Sequence, residues 1–117
     1  MSQELPQDIQ QKIRTFQNLQ AQLQSLNEQR FSIEAQIKEL ESATEYLNKA
    51  DDDTKVFKSI GGLMIETQKI KSLEDLNENK ELLETRNKKI KMNIERIQSK
   101  YDTLKDDINS SLKNRMG

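Results

Sequence analysis

The sequence predicts a mainly α fold: a long antiparallel two-helix coiled coil with one β-hairpin between its helices. Three observations carry this. Apolar residues recur alternately three and four apart from Ile9 to Leu47, and again from Leu73 to Ser111. Between these two runs lies the stretch "KVFKSIGGLMIET", residues 55 to 67, where β-branched and apolar residues flank a Gly-Gly pair. The chain has 117 residues, 32% hydrophobic and 33% charged. That is one domain by length but too polar to enclose a thick core, so its apolar side chains must work in a thin seam.

The first helix is expected over 6–50. Its seam reads Ile9, Lys12, Phe16, Leu19, Leu23, Leu26, then Arg30, Ile33, Ile37, Leu40, Thr44 and Leu47. Between these positions Gln, Asn, Glu and Lys dominate. Pro6 suits the first turn, where its missing N–H has no intrahelical partner to lose. The run Asp51, Asp52, Asp53 should end the helix near Ala50, because three carboxylates oppose the negative end of the helix dipole. These contiguous aspartates lack the alternating spacing and turn glycine of a calcium loop.

A hairpin is expected over 54–67. Alternation puts Val56, Lys58 and Ile60 on one face and Phe57 and Ser59 on the other, with Leu63, Met64, Ile65 and Glu66 returning. Gly61 and Gly62 suit a tight turn that requires positive φ. Both faces carry apolar side chains, and a slender coiled coil gives them little surface to cover. The free strand edges present unpaired backbone groups to strands of another chain. A plain connector would need only a few polar residues, so the hairpin reads as an oligomerisation device. No P-loop or Rossmann spacing accompanies the glycines.

The second helix is expected over 73–115, with Ser72 as N-cap and Asp75 closing a capping box. Its seam is Leu73, Leu76, Lys80, Leu83, Asn87, Ile90, then Ile94, Ile97, Tyr101, Leu104, Ile108 and Ser111. Setting Leu47 opposite Leu73 carries an antiparallel register through Ile37 with Leu83, Leu26 with Ile94, Leu23 with Ile97, Leu19 with Tyr101 and Phe16 with Leu104. At 1.5 Å per residue, arms of about 40 residues make a rod of roughly 60 Å. The polar intruders Arg30, Lys80 and Asn87 are expected to fix register at some cost in stability.

Composition narrows the functions. The sequence contains no cysteine and no histidine, so disulfides, thiolate or imidazole metal sites and mechanisms needing a Cys nucleophile or His base are excluded. An enzyme is not expected, nor a metal or other cofactor. Lys plus Arg number 19 against 20 Asp plus Glu, a net charge of −1, with both signs interspersed, which gives no lead towards nucleic acid. The start "MSQELPQDIQ" lacks the basic and apolar parts of a signal peptide, and no stretch approaches a membrane span, so a soluble intracellular protein is expected. One basic band, Arg86 to Lys100, reads first as a solvated face, second as a contact for an acidic partner and last as an RNA site, since no aromatic platform accompanies it.

The opening "ELPQDIQQKIRTFQNLQAQLQSL" and the connector pattern of Val56, Phe57, Lys58 and Gly61, followed by Leu63, Met64 and Ile65, resemble the beta-type, archaeal-like subunit of prefoldin across essentially the whole chain. Alpha-type subunits place two hairpins between their helices, and residues 51–72 have room for one. Phe57 replaces the usual Tyr, and Gly62 a position often basic. The resemblance implies an ATP-independent molecular chaperone, a cytoplasmic holdase. It would form a hexamer of two alpha and four beta subunits whose pooled hairpins make a β-barrel and whose coiled-coil tips hold non-native proteins for a group II chaperonin. It also implies neither nucleic acid nor membrane as a partner. On it, Val56, Phe57, Ile60, Gly61, Leu63, Met64 and Ile65 are the oligomerisation residues. Leu5, Ile9, Ile13, Leu112 and Met116, which the register gathers where Ile9 faces Ser111 and Ile108 faces Lys12, are the client contacts. Without the resemblance those five read as scattered apolar residues at a fraying end. A coiled-coil scaffold or tether in a hetero-oligomeric complex is the alternative function.

Overall fold

In a computed structural model of the chain the described residues run from 5 to 116. The element order is α1 (Gln7–Lys49), β1 (Val56–Ile60), β2 (Leu63–Thr67) and α2 (Lys69–Met116). Helix α1 starts directly after Pro6, whose carbonyl accepts the Gln10 amide at 3.0 Å. Asp8 lies in the first turn and Lys49 in the last, each matched to the helix dipole. Beyond Lys49 the aspartates turn the chain: the Thr54 amide donates to the Asp51 carbonyl at 3.0 Å.

Helix α2 begins one turn before the expected cap. The Ser72 amide donates to the Gln68 carbonyl at 2.9 Å, so Ser72 sits inside the first turn and Gln68 takes the capping place. A capping box is a local preference, and here a more distant contact outweighs it. The Lys69 ammonium donates to the Ala50 carbonyl at 2.7 Å and reaches Asp52 at 3.2 Å. The extra turn thereby ties the two ends of the connector together and satisfies a carbonyl beyond the end of α1.

The chain divides into two units, Met1–Arg30 with Lys89–Gly117, and Phe31–Lys88. In the first, Leu19, Leu23 and Ile97 are buried together, with Leu26, Ile94, Tyr101 and Leu104 packed against them. Phe16 stacks on Tyr101 with ring centroids 4.5 Å apart. The cluster gathers the residues of four expected layers, but Phe16 stacks on Tyr101, the residue that the register set opposite Leu19, and not on Leu104 alone. In the second unit the covered positions on α1 include Ile33, Ile37, Leu40, Thr44 and Leu47, and on α2 Leu73, Leu76, Lys80, Leu83 and Asn87. Lys80 keeps its stem in the seam and sends its ammonium outward to Glu41 at 3.6 Å and Glu84 at 3.9 Å.

Asn87 is the costly intruder. It is only 7% exposed, and among the described residues its Oδ1 has no hydrogen-bond partner. An unmet buried acceptor costs about 1–3 kcal/mol. Asn87→Leu is therefore expected to raise stability by about that amount in urea unfolding followed by circular dichroism. An unchanged or lowered midpoint would show that Asn87 is satisfied in solution.

Candidate functional site

The hairpin follows from its sequence residue by residue. β1 and β2 are antiparallel, with Phe57 opposite Glu66, Lys58 opposite Ile65, Ser59 opposite Met64 and Ile60 opposite Leu63. The two residues of the loop are Gly61 at φ 54° and Gly62 at φ 83°, the pair of positive angles that a type I′ turn demands. No atom lies within 4 Å of where a Cβ would stand on either glycine. Backbone angle, and not crowding, is what selects glycine here.

The sheet has two strands, and so among the described residues both its outer edges are unpaired. On one face lie Val56, Ile60, Leu63 and Ile65, on the other Phe57 and Met64. Val56 is half-buried at the base. Phe57 is 51% exposed, and Leu63 and Met64 are each 67% exposed. Among the described residues no helix covers Leu63 or Met64. The strand β1 is braced at one point, where Lys58 reaches Asp75 of α2 at 3.4 Å. An exposed pair of this kind contributes about 1 kcal/mol at most, enough to orient the hairpin and too little to bury it.

Beside this brace an open groove of about 430 Å³ runs between the last turns of α1, strand β1 and the start of α2, with Tyr46, Leu47, Val56, Phe57 and Leu76 in its walls. Tyr46 is 83% exposed, and Ile70 at the start of α2 is also open. Both were missed by reasoning from the seam, although both could have been found as large apolar side chains off the heptad positions beside the hairpin. Lys58, Lys69 and Asp75 were not predicted as a brace either.

The second candidate cluster lies in the first unit. Leu5, Ile13 and Leu112 are half-buried, leaving part of each in water. Gln10 Nε2 donates to the Leu5 carbonyl at 2.6 Å, which holds Leu5 against the first turn of α1. Ile9 departs from the expectation of a poorly sealed layer. It is 5% exposed, and Ile108 is likewise buried. In the Ile108 layer the half-buried Lys12 pairs its ammonium with Asp107 at 3.0 Å, so the charge that was expected to open that layer is met at its edge. The side chain of Met116 lies outside the described residues. Among the described residues no group of acids is placed to hold a metal ion, and no helix is long and apolar enough to cross a membrane.

Two long helices joined by a single open hairpin form a pattern specific enough to compare with known proteins. The family described as Prefoldin subunit matches residues 10–115. The chain belongs to the prefoldin subunit family. Similar relatives include the prefoldin subunit beta of Methanothrix thermoacetophila, 39% identical over 112 residues, covering 96% of this chain and 93% of the relative. The prefoldin subunit beta of Pyrobaculum neutrophilum is 35% identical over 109 residues, 93% of this chain and 86% of the relative. Among solved structures, the crystal structure of the prefoldin beta subunit from Thermococcus strain KS-1 superposes with a TM-score of 0.87 at 27% identity, over 95% of this chain and 97% of that one. Membership in prefoldin makes this chain a chaperone subunit, and its single hairpin agrees with the beta type of these relatives. A subunit needs a surface for its neighbours. In this prefoldin chain the hairpin has open strand edges and exposed apolar side chains on both faces.

Proposed function

We propose that this chain is a beta-type subunit of a cytoplasmic, ATP-independent holdase, joined with alpha-type subunits and other beta copies in an alpha2-beta4 hexamer. The hairpins pool into a shared β-barrel. The free end carrying Leu5, Ile9, Ile13, Leu112 and Met116 contacts non-native proteins, which the assembly passes to a group II chaperonin. The observation that carries this reading is the hairpin: apolar side chains stand exposed on both faces of a two-stranded sheet in a chain of the prefoldin family.

Client contact at one end is weak by construction. Each large apolar side chain contributes about 1.5–3 kcal/mol on full burial, and Leu5, Ile13 and Leu112 are already half-covered. Several ends in one assembly supply avidity while leaving each contact easy to break. The test is light scattering from an unrelated, chemically denatured protein diluted into the chain assembled with an alpha-type partner, without nucleotide. Suppressed scattering near stoichiometric amounts is expected. Scattering unchanged by a well-formed assembly would favour a scaffold or tether that uses the coiled coil only to set a distance.

A further inference from the structure

The basic band that is continuous in sequence is divided in space. Lys89, Asn93, Arg96 and Lys100 each directly precede a seam residue, namely Ile90, Ile94, Ile97 and Tyr101. They therefore share one flank of α2. Lys91 follows Ile90 and turns to the other side. Glu95 and Asp102 also follow seam residues, and with Asp106 they border a separate groove. Within the first unit, α2 thus carries cations on one flank and carboxylates on another.

On α1 the residues in the equivalent place, Thr15, Asn18, Gln22 and Ser25, precede Phe16, Leu19, Leu23 and Leu26 and are all uncharged. The two flanks meet in an open groove of about 260 Å³ lined by Gln22, Ser25, Asn93 and Arg96, with Leu26 and Ile97 completing the lining. Lys89, Asn93, Arg96 and Lys100 are exposed, and among the described residues they make no ion pair or side-chain hydrogen bond. From Lys89 to Thr103 this flank has no carboxylate.

We propose that this flank docks an acidic helical segment of another protein. Lys89 and Arg96 are about 10 Å apart along the axis and Arg96 and Lys100 about 6 Å, so a partner helix with carboxylates seven and four residues apart meets all three cations. The amides and hydroxyl of Gln22, Asn93 and Ser25 can hydrogen-bond to such a segment without repelling it. RNA fits less well, because the aromatic rings of the first unit, Phe16 and Tyr101, are stacked on each other and give no platform for bases. This contact is separate from client capture at the free end, and either can fail alone.

The experiment is fluorescence anisotropy of a labelled helical peptide bearing Glu at i, i+4, i+7 and i+11, titrated with the full chain at low ionic strength. Saturable binding that salt weakens is expected. The triple variant Lys89→Gln, Arg96→Gln, Lys100→Gln should bind roughly tenfold more weakly, the loss expected for three exposed charge pairs. The control Arg14→Gln, Lys105→Gln, Lys113→Gln removes the same charge elsewhere and should stay within about twofold of wild type. Equal losses in both variants, no binding by wild type, equal binding of a Gln-for-Glu peptide, or tighter binding of an oligouridylate would each overturn the proposal. So would self-association of the wild-type chain in sedimentation that the first variant abolishes, since the flank would then serve a second copy.

Discussion

Replacing residues 55–67 by a short Gly/Ser linker is expected to abolish assembly with other prefoldin subunits while leaving most of the helicity intact. The helices owe their order to the seam, which the replacement does not touch. On the proposed reading the assembly draws its order from side chains that this chain leaves open: Ile60 and Ile65 are about half exposed and Leu63 and Met64 two-thirds. Each contributes about 1.5–3 kcal/mol on full burial, and the free strand edges add backbone hydrogen bonds that no helix can replace. Circular dichroism and sedimentation velocity, run on the variant mixed with an alpha-type partner, give the two readouts. A variant that keeps the oligomer would show that helices drive assembly and that the hairpin is only a turn.

The second large effect concerns the free end. Changing Leu5, Ile13, Leu112 and Met116 to Ser is expected to leave assembly intact and to weaken suppression of aggregation roughly tenfold or more, because every beta copy in the assembly loses its contact at once. Ile9 is kept in this variant. It is buried, and truncating a buried isoleucine costs about 2–5 kcal/mol, so its loss would confuse unfolding with lost contact. Four Ser substitutions at exposed positions outside both candidate sites, Gln24, Lys38, Lys88 and Lys91, serve as the control and should matter little. Wild-type suppression by the four-residue variant, in a normal oligomer, would remove the free end from the client site.

How much of this was legible beforehand differs from residue to residue. The seam was readable because a heptad repeat states burial directly: residues such as Leu19, Leu23 and Ile97 recur at the period of a supercoiled helix and are buried where that period puts them. The hairpin was readable for an equally local reason. Two adjacent glycines between alternating apolar residues have few conformations other than the type I′ turn they adopt. The antiparallel pairing followed once both seams were known, since the short connector sets Leu47 opposite Leu73 and the heptad period keeps the later layers matched.

Other features depend on groups remote in the chain. Ser72 carries a sound capping signature, yet Lys69 begins α2 a turn earlier, where its ammonium can meet the Ala50 carbonyl and Asp52. Nothing in the local sequence records that meeting. Ile9 and Ile108 read as weakly covered residues in polar layers, yet both are buried, and the Lys12 charge in the Ile108 layer is met by Asp107. The basic band reads as one patch, and the helix turns its members to opposite sides. By itself the sequence determined which residues repeat, which turn and therefore which elements exist. The tertiary structure alone decided where long polar side chains send their charges, because a lysine can cover an apolar layer or expose it depending on a carboxylate that only folding brings within reach.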